Sequence, residues 1–204
     1  MQSFHPQGLV PGRVGNIQTQ VLRKEGEEKT GPTYKITNIK FSCRVWPPLS
    51  HQMFNDIGLH YWAGPDRYIL RLDKYVYTIM CTGKFVNVTG CICADEFEKA
   101  LFRLKSNVRD PNLTFSLKKC DTISAVSKIK KSIFGRIMKT QASATRFKIK
   151  LYHNIPYRLN VSLQIPLKTS PNICANIFTS GSVCIFGARQ KEDIDFFLHY
   201  INDT

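Results

Sequence analysis

A chain of 204 residues with 43% hydrophobic content is long enough for one sizeable domain or two small packed ones, and it excludes wholesale disorder. Twenty-nine Lys and Arg against fifteen Asp and Glu leave a formal charge of +14, a self-repulsion that a polyanionic partner would relieve. No run of about 18 apolar residues argues for a membrane span, residues 1–29 lack the apolar core of a secretory signal, and the seven cysteines, mostly set in apolar runs, read as reduced thiols.

Residues 1–33 are polar, without sustained periodicity, and read as a flexible arm. Alternation from Tyr34 to Cys43 predicts a strand, and Pro47-Pro48 suits the first turn of a short helix. Short strands are expected at Tyr68–Leu72, Tyr75–Cys81 and Phe85–Thr89, split by Asp73-Lys74 and Thr82-Gly83-Lys84. Ala94–Lys105 places Phe97, Leu101 and Leu104 at helical spacing, with Asp95 and Glu96 in the first turn, where the helix dipole favours acids.

The second half follows the same order more loosely. Leu113–Leu117 reads as a strand. From Asp121 onward, Ile123, Val126, Ile129, Ile133 and Ile137 predict a long amphipathic helix, with Lys128, Lys130, Lys131, Arg136 and Lys139 mostly off the apolar stripe. Strands are expected at Phe147–Tyr152, Leu159–Ile165, Ile173–Phe178 and Val183–Phe186. A helix over Lys191–Ile201 closes the chain.

The two halves share a pattern. Gly83 and Gly181 match at an offset of 98, and after one extra residue in the first copy Gly90 and Gly187 match at 97. Each hairpin then enters an acidic helix start, Asp95-Glu96 or Glu192-Asp193, with Leu101 falling on Leu198. In Ile173–Phe186 both alternating faces carry apolar side chains, so the face away from the helices calls for a covering partner. A basic protein with such a face suits a DNA minor groove, where cations hold phosphates and apolar side chains wedge between base steps; another protein is the other candidate cover.

Tyr34-Lys35-Ile36-Thr37-Asn38-Ile39-Lys40-Phe41-Ser42-Cys43, and the hairpin Ile177 through Arg189 with Pro171 ahead of Phe178, resemble the corresponding segments of the TATA-box-binding protein (TBP) family. The resemblance runs from Tyr34 onward. It implies an α+β, two-repeat saddle: a curved antiparallel sheet with helices on its convex face, repeat 1 over 34–110 and repeat 2 over 111–204. It further implies a nuclear transcription initiation factor (or one in a viral replication compartment). Such a factor would bind A/T-rich promoter DNA through the minor groove and recruit general transcription factors or RNA polymerase machinery. The alternative is a TBP-like interaction module that has lost TATA binding, using the same face for a protein or a second copy of itself.

Carried over residue by residue, Asn38 would sit near the centre of the DNA face with Lys40 beside it. Phe178 would wedge at one end and Met80, its softer counterpart, at the other. Cys184 and Phe186 would lie on the groove surface and Lys84 in the first hairpin. The second wedge of each family pair has no clean match; Trp62 or Pro65, and Tyr157, Leu159 or Val161, are the stand-ins. Phe115 falls roughly where the second copy would carry its asparagine, and the extra residue leaves open whether Phe85, Asn87 and Thr89 or Lys84, Val86 and Val88 face outward. Lys118, Lys119, Lys128, Lys130 and Lys131 are candidates for phosphate or acidic-partner contacts.

No cofactor is expected. Cys91-x-Cys93 lacks zinc spacing and a second pair, the five histidines are scattered, and the glycine turns do not open a helix as a phosphate-cradling loop must. No enzyme chemistry is read from the chain.

Overall fold

The computed structural model describes residues 32–50, 52–53, 61–63, 66–108, 110–140, 147–151, 158–163 and 167–203. In chain order these form β1 (Tyr34–Trp46), β2 (Tyr61–Ala63), β3 (Arg67–Leu72), β4 (Tyr75–Met80), β5 (Phe85–Cys91) and α1 (Ala94–Val108). Then come β6 (Thr114–Lys128), α2 (Lys131–Thr140), β7 (Phe147–Leu151), β8 (Arg158–Leu163), β9 (Cys174–Phe178), β10 (Ser182–Ala188) and α3 (Lys191–Asn202). Most of the arm 1–33 and of the helix expected after Pro47-Pro48 lies outside the described residues.

The fold is α+β, with all ten strands in one antiparallel sheet ordered β2-β3-β4-β5-β1-β6-β10-β9-β8-β7. That order is palindromic. The long strands β1 and β6 meet in the middle, and each is followed outward by the last, then the earlier strands of its own half.

Period-two burial gives the sheet one buried face. Tyr75, Tyr77 and Ile79 of β4, Val86 and Val88 of β5, and Val183 and Ile185 of β10 are buried, while the residues between them are not. Helix α1 covers this face with Phe97, Ala100, Leu101, Leu104 and Val108. The Phe97 ring stacks on Phe41 of β1 at 4.5 Å, and the Tyr77 hydroxyl donates to the Ala100 carbonyl at 2.8 Å. Helix α3 buries Ile194, Phe197, Leu198 and Ile201. Its buried Asp193 carboxylate accepts from the Thr169 hydroxyl at 2.6 Å and from the Ser170 hydroxyl, and Ser170 Oγ accepts the Arg189 N–H at 2.8 Å. A carboxylate so satisfied can be buried at acceptable cost.

Two glycines set the hairpins. Gly83 and Gly181 have φ of 66° and 83°, and their N–H groups donate to Met80 and Phe178 carbonyls at 2.7 and 2.9 Å. Their own carbonyls accept from Leu49 N–H at 3.0 Å and Ile129 N–H at 2.9 Å. A Cβ at Gly83 would lie 2.1 Å from the Leu49 carbonyl oxygen, and one at Gly181 would lie 2.5 Å from that of Ile129. Neither the backbone conformation nor the space admits a side chain.

One expectation is overturned. Residues 121–128, which the 3.6-residue spacing assigns to a helix, belong to β6; only Lys131–Thr140 is helical, with Ile133 and Ile137 buried. Burial in β6 runs at Ile123, Ala125 and Ser127, a period of two hidden in the sequence because the small residues Ala125 and Ser127 hold the inward positions. The seam decides the matter. As the strand joining both halves, β6 satisfies its backbone groups against β1 on one side and β10 on the other.

Candidate nucleic-acid interface

The open face begins at the seam. Ile39 pairs with Ile123, and around this point Asn38 pairs with Ser124 and Lys40 with Thr122. The registers to the flanking strands also match, since Ile39 meets Cys91 and Ile123 meets Ala188, each next to an irregularity, so Thr122 takes the place in β6 that Asn38 takes in β1. Phe115, expected in that role, instead pairs with Val45 toward the end of the seam. Thr122 lies in the stretch that the helical spacing claimed, so the expected strand Leu113–Leu117 left Phe115 as the nearest candidate.

Asn38 is half buried, and its Oδ1 accepts the N–H of Gly90 at 2.7 Å. Gly90 has φ of 93° at the irregularity in the β1–β5 pairing, and Asn38 satisfies the amide there. The Asn38 NH2 has no partner among the described residues. The centre of the face therefore offers the Asn38 amide, the Lys40 ammonium and the hydroxyls of Thr122 and Ser124.

Moving outward, Phe85, Asn87 and Thr89 of β5 face the open side while Val86 and Val88 are fully buried, which settles the alternative left by the extra residue. On β10 the open positions are Ser182, Cys184 and Phe186; on β9 they are Cys174, Asn176 and Phe178. Met80 ends β4 opposite Arg67, and Phe178 ends β9 opposite Arg158, so each apolar wedge candidate has an arginine as its cross-strand neighbour. Leu159 and Val161, two stand-ins for the missing second wedge, are buried on the other face and are ruled out. Trp62 is registered opposite Ile69 with its side chain outside the described residues, as are Pro65 and Tyr157.

Lys35, Lys40, Arg44, Arg67, Arg71, Lys128 and Arg158 occupy open-face positions, whereas the helices carry both signs, Asp95, Glu96, Glu98, Glu192, Asp193 and Asp195 beside Lys99, Arg103, Lys105, Lys131, Arg136, Lys139 and Lys191. The seam carboxylate, Asp121, accepts from the Ser42 hydroxyl at 3.0 Å and pairs with Lys119 at 3.4 Å. Lys118 pairs with Glu98 of α1 at 2.7 Å. Of the five candidate lysines, these two are thus engaged within the chain, while Lys128, Lys130 and Lys131 are exposed beside the Gly181 hairpin. Lys84 is exposed in the Gly83 turn. Trp46, Phe85 and Phe186 add exposed apolar surface (63%, 49% and 40% exposed).

The site offers little for covalent chemistry. Burial pushes the Cys43 and Cys91 thiols up to about 12 and Cys120 up to about 11, so they stay protonated at neutral pH. Among the described residues no three His, Cys, Asp or Glu gather as a metal site, and no helix is long and apolar enough to cross a membrane.

Sequence reasoning missed Arg44, Arg67 and Arg158, as well as the pair Asn160 and Asn176 on β8 and β9. Only cross-strand register brings these side chains to the open face.

A palindromic antiparallel sheet, helices packed on one face and a basic open face on the other, defines a TBP-like α+β fold. No family model and no curated protein matches the chain. Solved structures do match, among them Methanococcus jannaschii TBP, with a TM-score of 0.63 at 20% identity over 84% of this chain and 97% of that one.

Proposed function

We propose that this chain is a TBP-like DNA-binding transcription initiation factor, built as two repeats (34–110 and 111–204) in a saddle with its helices on the convex side. Its open face lies in the minor groove of A/T-rich promoter DNA in the nucleus, and its remaining surface recruits transcription machinery. The observation that carries this reading is the set of cations on the open face, Lys35, Lys40, Arg44, Arg67, Arg71, Lys128 and Arg158, interleaved with the exposed Phe85 and Phe186. Asn38 donates to minor-groove acceptors near the centre, which favours A·T pairs because the guanine amino group offers no acceptor there. Phe178 and Met80 wedge at opposite ends, with Arg158 and Arg67 reaching phosphates and Cys184 and Phe186 lying on sugars. Bending the duplex costs on the order of 1–6 kcal/mol, which these contacts offset.

Titration of A/T-rich and G/C-rich duplexes at two salt concentrations, with wild type and Phe178→Ala, tests this. The expected result is an A/T preference that survives moderate salt and is lost in the variant. Weak, salt-abolished binding that is equal on both duplexes and indifferent to Phe178 refutes it. The exposed Trp46 and Phe85 favour a second reading, in which the face binds a protein or a second copy. A complex stable in high salt on sizing chromatography would support that one.

A further inference from the structure

The centre and one flank of the open face offer different hydrogen-bonding groups. At the centre Asn38 Oδ1 already accepts the Gly90 N–H, so its NH2 is the group turned to a ligand. On the flank, Asn160 of β8 and Asn176 of β9 are direct cross-strand partners, and Asn160 Nδ2 donates to Asn176 Oδ1 at 3.1 Å. Burial raises the Cys174 pKa, and the Asn160 amide works against that rise, as an N–H directed at the sulfur does. An amide–amide bond consumes one donor and one acceptor, so whichever way the two amides are turned, one carbonyl and one NH2 remain. Here these are Asn160 Oδ1 and Asn176 Nδ2. Neither has another partner among the described residues, and neither belongs to the buried polar atoms lacking one, so both face solvent.

The minor-groove edge of an A·T pair displays acceptors only, while a G·C pair adds the guanine 2-amino donor. A carbonyl pressed against an A·T edge would be left facing acceptors, which is costly once water is excluded. Against G·C, Asn160 Oδ1 accepts the guanine amino group, and Asn176 Nδ2 donates to guanine N3 or cytosine O2. The same rung in the first half pairs Ile69 with Thr78, which cannot form such a couple.

We infer that Asn160 and Asn176 read a single G·C base pair on one side of the site, which gives the bound chain a direction. This rests on the DNA-binding reading above. Three strand spacings separate the seam from the midpoint of β8 and β9. At about 4.8 Å each this is about 14 Å, or about four base pairs at 3.4 Å per step. The G·C pair would therefore lie beside the step that Phe178 enters.

The test uses wild-type protein and A/T-rich duplexes carrying one G·C pair, moved through successive positions on one side of the centre. At each position it is compared with inosine·cytosine, which lacks only the 2-amino group. One position should bind about five- to tenfold tighter with guanine than with inosine. Asn160→Leu should erase that difference between guanine and inosine at that position. If inosine binds as well as guanine at every position, the inference is wrong even though A/T-rich binding stands. If wild type binds none of these duplexes, the DNA-binding reading has failed and takes this inference with it.

Discussion

Asn38 joins the architecture of the seam to the proposed chemistry, and two substitutions separate those roles. Asn38→Leu removes the acceptor of the Gly90 N–H, a half-buried amide at an irregular point of the β1–β5 pairing. Leaving such a donor unsatisfied costs about 1–3 kcal/mol. For a chain of this length each kcal/mol lowers Tm by about 2–4 °C, so a fall of about 2–12 °C is expected in differential scanning fluorimetry. Asn38→Asp keeps an oxygen for Gly90 and should melt within about 2 °C of wild type. It nevertheless deletes the amide donor, worth about 1–3 kcal/mol of base recognition, and sets an anion among minor-groove acceptors. Affinity for an A/T-rich duplex should therefore fall by about 100-fold or more. An aspartate variant that binds like wild type would show that the seam does not touch DNA. A leucine variant that melts like wild type would show that the Gly90 bond is not structural.

Three further outcomes are expected. Gly181→Ala forces a left-handed conformation and drives its Cβ into the Ile129 carbonyl, so it should cost about 2–3 kcal/mol by chemical denaturation; an unchanged midpoint would contradict the hairpin geometry. If about six phosphates are neutralised, log affinity should fall with log salt at a slope of about −5, and Arg44→Gln should reduce it by about one unit; a slope unaffected by that change would place Arg44 outside the interface. At pH 8 the exposed Cys81 should alkylate rapidly while Cys43 and Cys91 react only on unfolding. Because folding raises the latter two from 9.0 to about 12, their contribution to stability is intact below pH 9 and lost as pH rises toward 12, which alkaline denaturation curves will show.

Much of the first half was legible because its strands alternate cleanly and Gly83 marks the turn between β4 and β5. The matched glycines also paired Met80 with Phe178, each three residues before its turn glycine, and these two residues end β4 and β9. The later part of strand β6, beyond Leu117, was not legible. Ile123, Val126, Ile129, Ile133 and Ile137 satisfy a helical stripe, and nothing local reveals that Ala125 and Ser127 are the inward residues of a central strand. That misassignment also concealed Thr122 as the counterpart of Asn38. The flank pair was out of reach for a different reason: Asn160 and Asn176 are 16 residues apart and meet only through the β8–β9 register.

The palindromic order has a consequence for how the chain assembles. The hairpins β3–β4 and β4–β5 join residues close in sequence, but the seam joins residues as far apart as Tyr34 and Ser127. During synthesis, the inner edge of β1 stays unpaired until β6 has emerged, leaving 13 residues of open sheet edge. Lys35, Lys40 and Arg44 on that strand act in the meantime as electrostatic guards, discouraging a neighbouring nascent chain from adding its own β1 there.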